Sequence, residues 1–326
     1  MHHRPSFFVA FGALAVAVAG LFALSLALGS VRLDLPQVLA VFGSDTASLA
    51  RDVVLDLRLP RALAAFAVGG LLALSGALLQ VLLRNPLADP YVLGVSGGAS
   101  VAALVAIMLG LPAVGVDGFA AAGALVACLL VFAIAQGPGG WTPTRLLLTG
   151  VVVAAGAGSL VSLLLALGDE SQLRGMVFWL LGDLSGTQRW PWLLALLVVA
   201  TAAGTALGRH LNVLARGATQ AATVGLDVRG MQLLLFIGSS VLTGCAVSAA
   251  GAIGFVGLVT PHLARLALGS DHRVVLPAAA VLGGALLMAA DLASRVLAAP
   301  RQLPVGALTA LVGVPLFLLL MSRRRS

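Results

Sequence analysis

Apolar residues come in long runs along this chain, and the polar residues that separate them fall in short clusters rich in Pro, Gly and Arg. Ten runs stand out, at 7–28, 60–83, 93–110, 118–136, 145–167, 190–208, 230–249, 254–268, 274–297 and 304–321. About 20 apolar residues at a rise of about 1.5 Å each cross a hydrocarbon layer ~30 Å thick. The pattern predicts an all-α polytopic membrane protein with about ten transmembrane helices. The eighth run is short for a span. The first, from Phe7 to Leu28, exceeds the apolar core of a signal peptide and reads as a retained span.

Composition agrees. Of 326 residues, 60% are hydrophobic and 10% charged, with a mean hydropathy of +1.09; soluble domains carry about a quarter charged residues. Residues 1–326 read as one transmembrane domain. All 19 basic residues are arginine. Without lysine there is no phosphate-binding P-loop. The arginines are scattered between runs and form no stripe for nucleic acid. Cys128 and Cys245 lie inside apolar runs, as small core residues do, and are not read as a disulfide or metal pair.

Ten spans put both termini on one side, and the closing "SRRRS" places that side in the cytoplasm. On this threading eleven arginines lie inside and eight outside, and nine of the twelve acidic residues lie outside. The eight outside arginines exceed what orientation alone explains. Trp141, Trp179, Trp190 and Trp192 fall at run ends or in loops, where indole rings favour the headgroup layer. Gly94 and Gly98, and Gly150, Ala154, Gly158 and Ser162, recur every four residues, a spacing that lets helices approach closely in lipid. A faint internal echo joins "RLPRALAAFAVG" at 58–69 to "RQLPVGALTALVG" at 301–313.

Four polar interruptions carry the candidate chemistry. Irregular backbone at membrane depth needs protein or water to cover it. In "LLRNPLADPYVLGVSGGAS" (82–100), Pro86 and Pro90 break the helix beside Arg84, Asn85 and Asp89. That marks either a plain turn or an inside loop dipping into the protein. "QGPGGWTPTR" (136–145) is a second inside loop. "GRHLNVLARGATQAATVGLDVRG" (208–230) is too polar to span and suits a cytoplasmic helix pair offered to a soluble partner, or a solvated linker. In "GAIGFVGLVTPHLARLALGSDHR" (251–273), Pro261 kinks its helix. His262 there is either a metal or haem ligand or a packed, hydrogen-bonded residue. Asp291 is the one acidic residue well inside a run, with Arg295 a turn away to pair with it. So few buried ionisable groups count against an ion-coupled carrier and against a membrane enzyme.

The stretch "RLPRALAAFAVGGLLALSGALLQVLLRNPLADPYVLGVSGGAS", with "GAIGFVGLVTPHLARLALGSDHRVVLP" and "LPVGALTALVGVPLF", resembles the FecCD-type permeases of ATP-binding-cassette importers for iron-siderophores, haem and cobalamin. The likeness runs in order through nearly the whole chain. It implies ten spans, a second permease subunit as a homodimer partner, two cytoplasmic ATP-binding subunits and a periplasmic substrate-binding protein, in a bacterial inner membrane. No cofactor is expected on this chain, with ATP and Mg on the partner ATPase, so the chain is not itself an enzyme. The resemblance puts Asn85, Leu87, Pro143 and Thr144 at cytoplasmic gates, although Pro143 stands where relatives often carry Ser or Thr. It puts Arg58, Arg61 and Arg295 at the docking face for the binding protein. It puts ATPase coupling on short helices at about 212–228, with Leu214, Ala215, Arg216, Gly217, Ala218, Gly225 and Leu226. The fifth and tenth spans would line the path. Ferric siderophore is the cargo expected first, then cobalamin and haem.

Overall fold

A computed structural model describes residues 7–29, 33–43, 49–137, 140–186 and 189–322. In chain order the helices are α1 (Phe7–Ala27), α2 (Leu35–Gly43), α3 (Leu49–Asp52), α4 (Leu59–Leu82), α5 (Val95–Met108), α6 (Ala113–Ala135), α7 (Pro143–Leu167) and α8 (Glu170–Leu180). They continue as α9 (Trp190–Ala206), α10 (Gly208–Ala215), α11 (Ala218–Thr223), α12 (Val228–Ala250), α13 (Val256–Leu268), α14 (His272–Val296) and α15 (Val305–Ser322). A π-helical turn, Val53–Arg58, joins α3 to α4, and a 3-10 turn, Pro90–Leu93, precedes α5.

Each of the ten expected spans is occupied by one helix: α1, α4, α5, α6, α7, α9, α12, α13, α14 and α15. Five helical stretches are long and apolar enough to cross a membrane, α9 and α10 pass together as a bent pair, and four shorter apolar helices fill the remaining positions. The chain is a multi-pass membrane protein. α13, in the short eighth run, has 13 residues. The clusters between runs hold more helix than the pattern predicts, namely α2, α3 and α8.

The core is built around α4. Its window is 83% buried, whereas that of α7 is 11% buried. Glycine makes this possible. A Cβ on Gly76 would run into the carbonyl of Gly257 on α13, and one on Gly69 into that of Gly283 on α14. With no hydrophobic force to draw helices together in lipid, such close backbone approach supplies the packing. Gly98 of α5 meets Gly123 of α6 in the same way. Gly94 packs closely on Val153 and Gly150 of α7, and at φ +75 it also ends the 3-10 turn and starts α5. Gly158 faces open space.

Polar glue adds to this. Ser75 Oγ donates to Ser239 O at 2.8 Å and lies 2.7 Å from Thr243 Oγ1, tying α4 to α12.

Candidate gate and coupling site

Pro261 sits inside α13 and has no N–H for the carbonyl of Gly257 four residues back. A side chain fills that gap. Gln80 Nε2 donates to Gly257 O and Leu258 O, both at 3.4 Å, and to Ala88 O at 3.3 Å. Its Oε1 accepts from Arg265. One buried amide thus joins the end of α4, the kink of α13 and the loop that follows α4.

That loop turns back into the protein. α4 closes with Arg84 N donating to Val81 O (3.2 Å) and Asn85 N to Gln80 O (3.1 Å), a Schellman-type end with Arg84 left-handed at φ 48. Asn85 Oδ1 accepts from Leu87 N (2.9 Å), and Asp89 Oδ1 accepts from Tyr91 N (2.9 Å) to cap the 3-10 turn. Val92 and Leu93 then press on Gly150 of α7, where a Cβ would meet Val92 O. Tyr91, the one tyrosine in the chain, closes a reciprocal pair with the α12–α13 connection: its Oη donates to Ile253 O (2.8 Å) and accepts from Ile253 N (2.7 Å). The inward dip expected of this loop is present. Asn85 and Leu87 lie exposed at its outer bend.

The second interruption starts α7. Thr142 Oγ1 caps it, accepting from Arg145 N at 3.2 Å, and Pro143 takes the first helical position, where a missing N–H costs nothing. Thr144 is exposed and Pro143 half-buried. Thr142, the cap itself, was missed among the site residues although Thr before Pro is a cap signal. Residues 138 and 139 of this loop lie outside the described residues.

The third interruption holds a helix pair at the place expected for coupling. α10 leaves α9 at 61°. Gly208 stands at the bend, close against Arg273 of α14, where a Cβ would lie 2.6 Å from Arg273 Cγ. Leu211 and Leu214 are buried, so Leu214 anchors α10, while Ala215 and Arg216 are exposed. Gly217, at φ +134, opens α11, with Ala218 half-buried. Gly225 is exposed at φ +83, and Leu226 is half-buried. Asn212 fastens α10 to the α13–α14 turn, donating to Asp271 Oδ1 (2.8 Å) and accepting from His272 N (2.9 Å). Arg273 and then Asn212 hold the Asp271 carboxyl below the ordinary carboxylate range.

At the other end of α4 lies the arginine cluster. Asp291, fully buried, receives Arg61 Nε at 2.7 Å and Arg295 Nε at 3.1 Å. Arg61 Nη1 also donates to Gln302 Oε1 at 3.0 Å, so the two echo segments touch. Arg58 Nη1 donates to Leu26 O (2.7 Å) and Ala27 O (2.8 Å), and Arg295 Nη1 to Ser25 O (3.3 Å) and Leu28 O (3.4 Å). A helix leaves its last carbonyls without donors, and these two arginines supply them for α1. Arg58, Arg61 and Arg295 are 5%, 8% and 6% exposed. Arg58, Arg61 and Arg295, the residues expected at a docking face, are drawn inward in this structure by a carboxylate and by the last carbonyls of α1.

Further connections meet within the bundle. Asp183 N donates to Ala250 O (2.9 Å), and Gly306 N to Leu181 O (2.9 Å), so the 181–184, 251–255 and 303–306 segments cover one another's backbone. His262 is buried in α13. Among the described residues no group of three or more His, Cys, Asp or Glu could hold a metal ion.

Known proteins resemble this chain in sequence and in fold. The chain is 46% identical to the cobalamin import system permease protein BtuC of Halobacterium salinarum, over 84% of this chain and 74% of that protein. It is 40% identical to the hemin transport system permease protein HmuU of Yersinia pestis, over 83% of each. It is also 38% identical to the ABC transporter permease protein YvrB of Bacillus subtilis, over 98% of this chain and 94% of that one. A solved metal-chelate-type ABC transporter in an inward-facing conformation superposes with a TM-score of 0.84 at 30% identity, covering 97% of this chain and 99% of that one. The profile of the FecCD transport family matches residues 15–323, and the chain belongs to that family.

Proposed function

We propose that this chain is the permease subunit of an ATP-binding-cassette importer that moves a metal chelate across a bacterial inner membrane. The observation that carries the reading is the α10–α11 pair, pinned by Asn212 to Asp271 and lining one cavity with Gln80 and Arg84, from which the loop that dips between the helices departs. A push on α10 has a short mechanical route to that loop. Two cytoplasmic ATPases holding ATP and Mg would deliver the push. Leu214 would anchor the coupling segment and Ala215, Arg216, Gly217, Ala218, Gly225 and Leu226 would form its turn-rich surface. Asn85, Leu87, Pro143 and Thr144 would be the moving gate residues. Both termini would be cytoplasmic.

The sparsely buried α7 and the exposed Leu311, Val312, Leu318 and Leu319 of α15 suit a second copy of the chain, with the path between the two. A periplasmic binding protein would dock at the end that carries Arg58, Arg61 and Arg295. Its carboxylates would reach those arginines by displacing Asp291 or the α1 carbonyls. Ferric siderophore is the cargo we take first, and the cobalamin, hemin and iron(3+)-hydroxamate relatives support the chelate class. An ion-coupled carrier is disfavoured because both oxygens of Asp291 are already bonded to arginine.

The test is co-purification of the permease with its cognate ATPase before and after deletion of 214–226. Release of the ATPase by the deletion supports the coupling role, and retention contradicts it.

A further inference from the structure

The end of the bundle that carries α10 and α11 holds a cavity of about 660 Å3. Its lining includes four arginines, Arg84, Arg216, Arg265 and Arg273, and one acidic residue, Asp271. The carboxylate is already used: Arg273 Nη2 lies 2.6 Å from Asp271 Oδ2, and Asn212 Nδ2 donates to Oδ1 at 2.8 Å. Arg265 is turned onto Gln80. Arg84 and Arg216 make no ion pair or side-chain hydrogen bond among the described residues.

Arg84 is also in a costly place. It occupies the left-handed position that ends α4, at φ 48, where glycine is favoured and a residue with a Cβ is strained. Its Nη1 lies 3.9 Å from where a Cβ on Gly217 would stand, over the α10–α11 turn. A strained backbone that carries an unpaired charge into a cavity points to a ligand.

We propose that this cavity binds a phosphate-bearing anion. The fork of a guanidinium matches phosphate oxygens in pairs, and basic pockets between transmembrane helices at the cytoplasmic surface suit phosphate headgroups. With His272 counted as neutral, the lining carries a formal surplus of three positive charges. One carboxylate from a protein partner would answer a single charge in a space far larger than itself, whereas a phosphate engages several arginines at once. The source is either free inorganic phosphate or the headgroup of an anionic phospholipid. Placing the cavity in the cytoplasm rests on the importer reading, but the binding measurement does not.

The experiment uses the full chain. Inorganic phosphate is titrated calorimetrically into permease in a neutral detergent, and cardiolipin retention is read by native mass spectrometry from nanodiscs. Arg84→Gln with Arg216→Gln is expected to weaken binding by about tenfold or more, with Arg216→Gln alone intermediate. Arg216 is exposed, so the single variant keeps the fold, and the melting temperature of each variant is recorded beside its affinity. Loss in the phosphate titration supports a site for the free ion, and loss confined to cardiolipin supports a headgroup site. The proposal is overturned if wild type binds neither ligand or if both variants bind within about twofold of wild type. It is equally overturned if Arg84 and Arg216 become protected from a guanidine-modifying reagent only when the ATPase subunit is added, which would make the cavity a socket for an acidic protein segment.

Discussion

Arg61 donates its Nε to Asp291 Oδ1 at 2.7 Å, joining the first turn of α4 to the last third of α14. With Arg295 on the other oxygen, one buried carboxylate is the shared counterion of two guanidiniums. Removing the carboxylate leaves both charges buried with no counterion. Asp291→Asn is expected to destabilise the permease by about 3–5 kcal/mol. Denaturation of wild type and variant in the same detergent measures this, and a variant as stable as wild type would mean that water already screens the cluster.

Arg58 should act through α1. Arg58→Ala removes the donor to Leu26 O and Ala27 O and should cost the isolated permease about 1–3 kcal/mol. Gly29 matters for the same reason, since a Cβ there would lie 3.0 Å from the Arg58 guanidinium. If Arg58→Ala left the isolated protein unchanged and weakened only binding-protein docking, the arginine would be a surface docking group.

Gly76→Ala should part α4 from α13, because the added methyl runs into Gly257 O. The folded yield should fall sharply, whereas Gly238→Ala, whose Cβ would meet only Leu78 Cδ1 at 3.7 Å, should express as wild type. Equal yields of monodisperse protein from the two variants would show that the helices can slide apart without penalty.

Tyr91→Phe takes away both hydrogen bonds to Ile253 and leaves that N–H and carbonyl unpaired. The expected loss is about 1–3 kcal/mol, with faster amide exchange over 251–255 than elsewhere. Unchanged exchange in that segment would place its stability elsewhere.

Gln80→Leu keeps the volume and loses the amide. The carbonyls of Gly257 and Ala88 would then lack their side-chain donor, and the loop after α4 should loosen. Faster proteolysis at 84–89, with the rest of the chain protected, is the expected reading. Protection equal to wild type would show that the caps of Asn85 and Asp89 hold the loop by themselves.

The ten apolar helices were legible because hydrocarbon demands length and apolarity, and 7–28 or 274–297 can satisfy those demands in few other ways. Helix α8 was not. Its polar first half, with Glu170 and Arg174, reads as loop, and it is held by buried Met176 and by Gln172 reaching Ile107 O on α5 at 3.2 Å. The surplus of arginine that the threading assigns to the outside was visible in the sequence, but its cause was not. Capping of α1 by Arg58 and sharing of Asp291 by Arg61 join residues 31 and 230 apart, which no local pattern records. The answer of Gln80 to Pro261 is hidden in the same way: each looks like a lone polar or breaker residue until α4 and α13 lie together. The i,i+4 pair of Asp291 and Arg295 was readable, since one helix turn fixes it.

Uptake into proteoliposomes that hold this permease with its ATPase and cognate binding protein tests ATP-driven chelate import itself. Ferric siderophore, cobalamin and haem are offered separately, with and without ATP. One chelate should accumulate, and only when ATP and the binding protein are both present. Accumulation that ignored ATP and followed an imposed proton or sodium gradient would contradict it.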